Sequence, residues 1–574
     1  MAPPSALDLD RLLEEGKQER LKGRLEQAEQ LCRQVLAVDP HHTAALDLLG
    51  ALAGETGRYE LAAELIEQVV AQVPSHSDAH TNLGLALHAL GRSEEGLVHM
   101  NRALELTPQS THALRNCAVV LSGLGRWADA ATCLRRWFAL EPNNAGVYRM
   151  LGDWHAKQDL RQEAASYYLK TLELDPADTE AASNLGACLA DGGHRAQALA
   201  LLCKVVELDP GNAGAWANLG VATKNLGDAE TALRCFNRTL ELEPEDAKAH
   251  WNRSLCLLGM GKLAEGWEDY EWRWKAIDQS GYRQHPQPRW DGSDLAGKTV
   301  LVWMEQGLGD QILFASLLQD LLSAGARCLV ECEWRLVALF ARSFPAVNVV
   351  PSTEPPNVLT RQPNIDFQIP VGNLPRWLRP NIESFPRHHG YLVPDPVRCG
   401  QWMERLERLG EGMKVGICWR SGIAKGMRSM HYSQLSQWGP ILTTPGVHFV
   451  KLQYDQCDEE VLEAEQQFGT RVHRWDGVDL KNDQDGVAAL ISRLDLVISA
   501  GTAVDTMAGG LGVPTWVLMR RCSDWWGLGT DYCPWISSIR PFACGANDPW
   551  EPVIQNMAAE LRQLTVARTS LEVA

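Results

Sequence analysis

LELDPADTEAASNLGACLADGGHRAQALALLCKVVELDP, residues 172–210, opens and closes on the same signal, an apolar and acidic run ending in proline. Pro176 and Pro210 stand 34 residues apart. The interval recurs without a slip through Pro40, Pro74, Pro108, Pro142, Pro176, Pro210 and Pro244. Other positions keep step. Small residues recur as Gly16, Gly50, Gly84, Ala118, Gly152, Gly186, Gly220 and Ser254, and again as Ala28, Ala62, Gly96, Ala130, Ala164, Ala198, Ala232 and Gly266. Each unit therefore predicts two antiparallel helices in close approach, with a proline where the second helix must stop.

A 34-residue period of helix pairs is the signature of tetratricopeptide repeats, and the frame predicts eight of them over residues 1–278. Such an array is a superhelix with a long concave surface suited to a partner. Asparagine recurs two positions before the first small residue, as Asn82, Asn116, Asn184, Asn218 and Asn252, broken by Leu48 and Met150. Asparagine is a mediocre helix former but carries a donor and an acceptor, so this row is a candidate grip on an extended acceptor peptide. The alternative is a solvated position common to the repeat.

At 574 residues the chain exceeds one core and should form several domains. Its net charge of −18 argues against general affinity for nucleic acid or anionic membrane. Fifteen cysteines without CxxC pairing, and a start, MAPPSALDLDRLLEEG, with neither a basic region nor an apolar core, predict a cytoplasmic chain with reduced thiols. No apolar run reaches the length of a membrane span. Sixteen histidines form neither HExxH nor a His/Cys cluster, so no metal site is expected.

The eighth repeat ends in Trp267, Tyr270, Trp272 and Trp274, rings expected to pack the array's end against the next part of the chain. Residues 279–297 read as a linker. The pattern then becomes alternating strand and helix, predicting two parallel-sheet lobes, 298–395 and 396–574. The first should hold strands near 298–304, 328–332, 347–352 and 365–370. The second should hold strands at 414–419, 448–453, 470–475, 494–499 and 515–519, and a final helix. Ligands in such sheets bind beyond the carboxyl ends of the strands, so the loops there carry the candidates.

Three loops stand out. In the first, Gly307 and Gly309 let backbone N–H groups approach an anion, with Asp310 at a helix start. The bland alternative is a helix cap. In the second, beside Trp419, Arg420, Lys425 and Arg428 concentrate positive charge and Ser421 gives a donor-rich turn suited to a phosphate, with solvated surface charge as the alternative. In the third, Gly501, Thr502, Asp505 and Thr506 come after a buried strand. A later loop brings Asp524, Trp525 and Trp526, where a base or sugar can stack or the rings can simply be buried.

The motifs EQGLGDQILFA (305–315), GICWRSG (416–422) and LDLVISAGTAVDTMAGGLGVPTWVL (494–518), joined to the repeats, resemble protein O-linked N-acetylglucosamine transferases and their bacterial relatives. They also resemble heptosyltransferase-like enzymes, including a branch that glycosylates flagellins. The resemblance implies an all-α tetratricopeptide superhelix followed by a two-lobed α/β module of GT-B type, whose final helix, from about Pro552, crosses back beneath the first lobe. It implies an inverting, metal-independent transferase that moves sugar from a nucleotide-sugar donor to Ser or Thr of a protein in the repeat groove, with flagellin as one acceptor. Asp310 matches the proposed general base, and Arg420, with Lys425 or Arg428, the donor-phosphate region. The donor is a UDP-, GDP- or ADP-linked sugar or a CMP-linked nonulosonate, and no tightly bound cofactor is implied. One departure stands out: relatives often read VDTS followed by Ala-His, where this chain has Gly501 for the acidic residue and Thr506 for the histidine. Two rivals remain, a peptide-binding scaffold with inactive lobes and a transferase acting on glycan or lipid.

Overall fold

The computed structural model describes residues 6–276, 283–387, 390–422, 432–521, 525–546 and 548–573. Helix pairs fill the first part in the expected frame, such as Thr43–Glu55 with Tyr59–Gln72 and Ala247–Gly259 with Leu263–Tyr270. Two residues after each ladder proline stands the N-cap of the next helix: His42, His76, Ser110, Asn144, Asp178, Asn212 and Asp246. Each side chain accepts a backbone N–H from the first turn, satisfying a donor that has no partner within the helix. Most of the glycines among the small residues are required by contact. A Cβ on Gly220 would lie 2.6 Å from the Phe236 ring, and one on Gly96 2.5 Å from the Gly84 carbonyl.

The chain divides into two compact units, 1–192 and 193–574. The division passes through the sixth repeat rather than falling at 278, so the later repeats belong to the same unit as the sheets.

Within the second unit, β1 (Thr299–Trp303), β2 (Arg327–Cys332), β3 (Asn348–Pro351) and β4 (Phe367–Pro370) form a parallel sheet in the order β3-β2-β1-β4. β1 is covered on both faces: Val300 and Val302 enter one core, Leu301 and Trp303 another. The second sheet contains β5 (Met413–Cys418), β6 (Val447–Lys451), β7 (Val472–His473), β8 (Leu496–Ala500), β9 (Thr515–Arg520) and β10 (Ile539–Cys544). Its order is β10-β9-β8-β5-β6-β7, parallel throughout, which is the doubly wound order with its reversal between β5 and β8.

Two elements differ from the sequence expectation. β10 is additional. It lies at the sheet edge, where Pro541 can sit because an edge strand tolerates a missing N–H, and that proline hid it. The final helix, Glu551–Val573, buries Ile554, Met557, Ala558 and Leu561 in the core of the second lobe, together with β5, β8 and β9. Its packing is with its own lobe, in place of the expected crossing beneath the first.

Three of the four rings that close the eighth repeat pack against the lobe as expected, while Trp272 stacks on His250 of its own repeat with ring centres 4.0 Å apart. Trp267 and Tyr270 are buried in the core that includes Val300, Phe314 and Trp535, and the Trp267 indole donates to the Arg379 carbonyl at 3.0 Å. Arg273, 2% exposed, donates to Glu305 through Nε at 2.9 Å and to Asn373 at 2.5 Å, with its plane against Tyr270 and Trp274.

Candidate functional site

The carboxyl ends of β1, β5, β8 and β9 converge on one cavity of about 830 Å³. Each wall is built locally. After β1 the backbone turns through Gln306, at φ 62, and starts the helix Leu308–Ala315 with Gly307 as N-cap. The Gly307 N–H donates to Asp310 Oδ2 at 3.1 Å. After β8 the helix Ala503–Gly510 starts in the same way: Thr502 N–H donates to Asp505 Oδ1 at 2.5 Å, while the Thr502 hydroxyl accepts from Val504 N–H at 3.2 Å. These two helix starts touch. A Cβ on Gly309 would lie 3.3 Å from both Ala503 Cα and Thr506 Oγ1, so any larger residue would press on the second helix start.

The loop after β5 is held by the buried Gln453, whose Oε1 accepts Trp419 N–H at 3.1 Å and Arg420 N–H at 3.2 Å. Gly422 N–H donates to the Tyr454 hydroxyl at 3.1 Å. Those bonds turn Ser421 and Gly422 toward the cavity.

Of the residues expected from sequence, Gly307, Gly309, Asp310, Ser421, Gly501, Thr502, Asp505, Thr506 and Trp525 line this cavity. Two do not. Trp419 is fully buried in the second lobe, with its indole donating to Glu460 at 3.0 Å. Arg420 does not line the cavity but is held by Asp455, which does, at 3.1 Å, and by Glu460. In a doubly wound lobe the strand end is wrapped by the next helix, and the helix Asp458–Phe468 supplies the acid that captures this arginine. Lys425, Arg428 and Asp524 lie outside the described residues.

Sequence reading missed the cations that do line the cavity: Arg335, Lys481 and Arg520. Arg335 comes just after β2 and donates to Glu333 at 2.9 Å and to the Lys481 carbonyl at 3.0 Å, joining the two lobes. Arg520 ends β9, donates to the Gly545 and Asp548 carbonyls, each at 2.9 Å, and stacks on Trp550. Among the described residues the Lys481 ammonium makes no ion pair. The available signal was position: Arg335 lies just past a strand end, and Arg520 closes one.

Burial pushes the Asp505 carboxyl up to about 7, and the charge of Asp310 adds to the shift against the opposing Thr502 hydrogen bond. The side chain is 5% exposed. No group of His, Cys, Asp and Glu suited to a metal occurs among the described residues, and no described helix is long and apolar enough to cross a membrane.

The asparagine row is partly engaged. Asn184 Nδ2 donates to Asp153 at 3.0 Å, and Asn252 accepts from Lys224 at 2.7 Å while donating to the Lys248 carbonyl at 2.9 Å. Asn116 is buried with its amide nitrogen unpartnered among the described residues, Asn82 is half-buried, and Asn218 has partners of its own.

The tetratricopeptide repeat model matches residues 48–111, 118–179 and 224–275. The helix pairs are tetratricopeptide repeats. Protein FlbA of Caulobacter vibrioides is 38% identical over 328 residues, 55% of each chain, so the chain spans about half the length of that curated relative. Among solved structures, a tetratricopeptide repeat protein of Thermus thermophilus is 23% identical with a TM-score of 0.29, covering 32% of this chain and 98% of its own. The Cut9–Hcn1 hetero-tetramer of the APC/C is 19% identical with a TM-score of 0.40, covering 47% and 54%.

Proposed function

We propose that the chain is a metal-independent, inverting glycosyltransferase of GT-B type. It moves sugar from a nucleotide-sugar donor to Ser or Thr of a protein held by the tetratricopeptide repeats, with flagellin the first acceptor to try. The observation that carries this reading is the single cavity fed by strand ends of both parallel sheets, where α/β proteins bind nucleotides. The order reversal between β5 and β8 puts the Ser421–Gly422 and Gly501–Thr502 loops side by side at that crevice. Lys481, Arg335 and Arg520 supply positive charge for leaving phosphate, and Trp525, Trp526, Tyr432 and Tyr454 supply faces for a base or sugar.

A second reading, a peptide-binding scaffold with inactive lobes, is favoured by the closure of Arg420 onto Asp455 and Glu460. Calorimetry with UDP, GDP, ADP and CMP, each beside its nucleoside, separates the two. Transferase function requires one nucleotide to bind more tightly than its nucleoside. Lys481→Ala with Arg335→Ala should then lower nucleotide affinity by about tenfold or more and leave the nucleoside near its original value. Failure of all four nucleotides to bind selects the scaffold.

A further inference from the structure

We infer that Asp505, not Asp310, is the group that takes the acceptor's proton, with Asp310 a neighbouring acid at the same end of the cavity. This inference rests on the glycosyl-transfer reading. The two carboxylates look equivalent in sequence: each is the third residue of a helix that starts at a strand end, and each is bonded to its own N-cap N–H. Their surroundings differ. Asp505 is 5% exposed, and among the described residues its Oδ1 takes the Thr502 N–H while Oδ2 takes no hydrogen bond. Gly309 brings the backbone of the first helix against Ala503, so the two acids share one end of one cavity.

Of the charged groups on the other elements lining this cavity, the Lys481 ammonium makes no ion pair among the described residues, and others are engaged. Asp485, on the helix Gln484–Ile491, is paired with Arg342. Arg520 on β9 is bonded to the Gly545 and Asp548 carbonyls. Cys418 at the end of β5 is pushed up to about 12 by burial and stays neutral. Burial is the chief cause of the raised Asp505 carboxyl and the charge of Asp310 a minor addition to it, and two acids in such unlike surroundings can divide the labour of proton transfer. A carboxyl near neutrality is a far better base at cellular pH than an ordinary aspartate.

The step balances without a further reactant. The acceptor hydroxyl gives its proton to Asp505 Oδ2 as its oxygen bonds to the anomeric carbon of the donor. The bond from that carbon to the phosphate oxygen breaks, and its electron pair leaves with the nucleotide. Asp505 then releases the proton to water.

The test uses the full chain, with wild type, Asp505→Asn and Asp310→Asn compared. Infrared difference spectra of wild type against Asp505→Asn over pH 5–9 should show one carboxyl titrating at about 7 that the variant lacks. With whichever nucleotide sugar matches the nucleotide that binds, slow transfer to water should rise with pH through the same range. Asp505→Asn should lower that rate about 10²–10⁴-fold and flatten the profile while retaining nucleotide affinity. Asp310→Asn should keep the rise and move its midpoint to lower pH, which tests the pair even if Asp505→Asn fails to fold. Nucleotide binding without a neutral-range carboxyl, or a pH rise that survives Asp505→Asn, overturns the assignment and leaves the transferase reading standing. Absence of nucleotide binding overturns the transferase reading itself, whatever the spectra show.

Discussion

The Tyr270 hydroxyl accepts a hydrogen bond from Gln306 Nε2 at 2.8 Å. That contact ties the last repeat to the turn that places Gly307, Gly309 and Asp310 at the cavity. Gln306 holds φ 62, a left-handed backbone that residues other than glycine seldom adopt. The bond to Tyr270 is one of the contacts that keep it there.

Tyr270→Phe retains the ring and removes the bond. With a net worth of about 1 kcal/mol, its loss should lower transfer about fivefold by loosening the turn, with nucleotide affinity little changed. Kinetics and calorimetry on one preparation check this. An unchanged rate would show that the turn keeps its shape without Tyr270.

Arg273 and Glu305 form a buried ion pair, with Glu305 also accepting Gly372 N–H at 3.0 Å. Removing one partner strands the other. Arg273→Met should destabilise the second compact unit by about 3–5 kcal/mol in denaturant unfolding, and adding Glu305→Gln should recover much of that loss. Equal destabilisation in the single and double variants would mean that packing of the arginine against Tyr270 and Trp274 dominates instead.

Asp505 makes stability depend on pH with a sign opposite to that of a salt-bridged acid. Its carboxyl rises from 3.8 unfolded to about 7 folded. Below about 4 both states hold the proton and there is no penalty. As pH rises toward 7 the unfolded chain releases its proton while the folded chain retains it, so stability falls, by up to roughly 4 kcal/mol in all. Asp505→Asn keeps an oxygen for the Thr502 N–H and should therefore stabilise the protein at pH 8 but not at pH 4. Melting curves at the two pH values would disprove the shift if the variant's advantage were the same at both.

The repeats were legible because prolines and small residues recur on one period, and the small residues answer to contacts such as Gly220 against Phe236. The strands of both sheets were legible as short apolar runs, except β10, whose proline reads as a loop until its edge position is known. The candidate site was legible where its wall is backbone: glycines at strand ends and acids on first helical turns line the cavity. It was not legible where function depends on which charge meets which. Arg420 looks like a phosphate ligand until Glu460, forty residues later, folds against it. Arg335 looks like surface until its strand end faces Lys481. Charge partners brought together from distant sequence leave no local pattern.

Trp267 and Tyr270 are repeat residues by period and lobe residues by burial. A length change upstream, by whole repeats, leaves the lobe interior untouched. The same deletion at the eighth repeat would pull two large rings out of that interior and leave the cavity turn without Tyr270. The array is therefore open to change by whole repeats at one end only, and the compact unit that holds the sheets begins inside the array rather than after it.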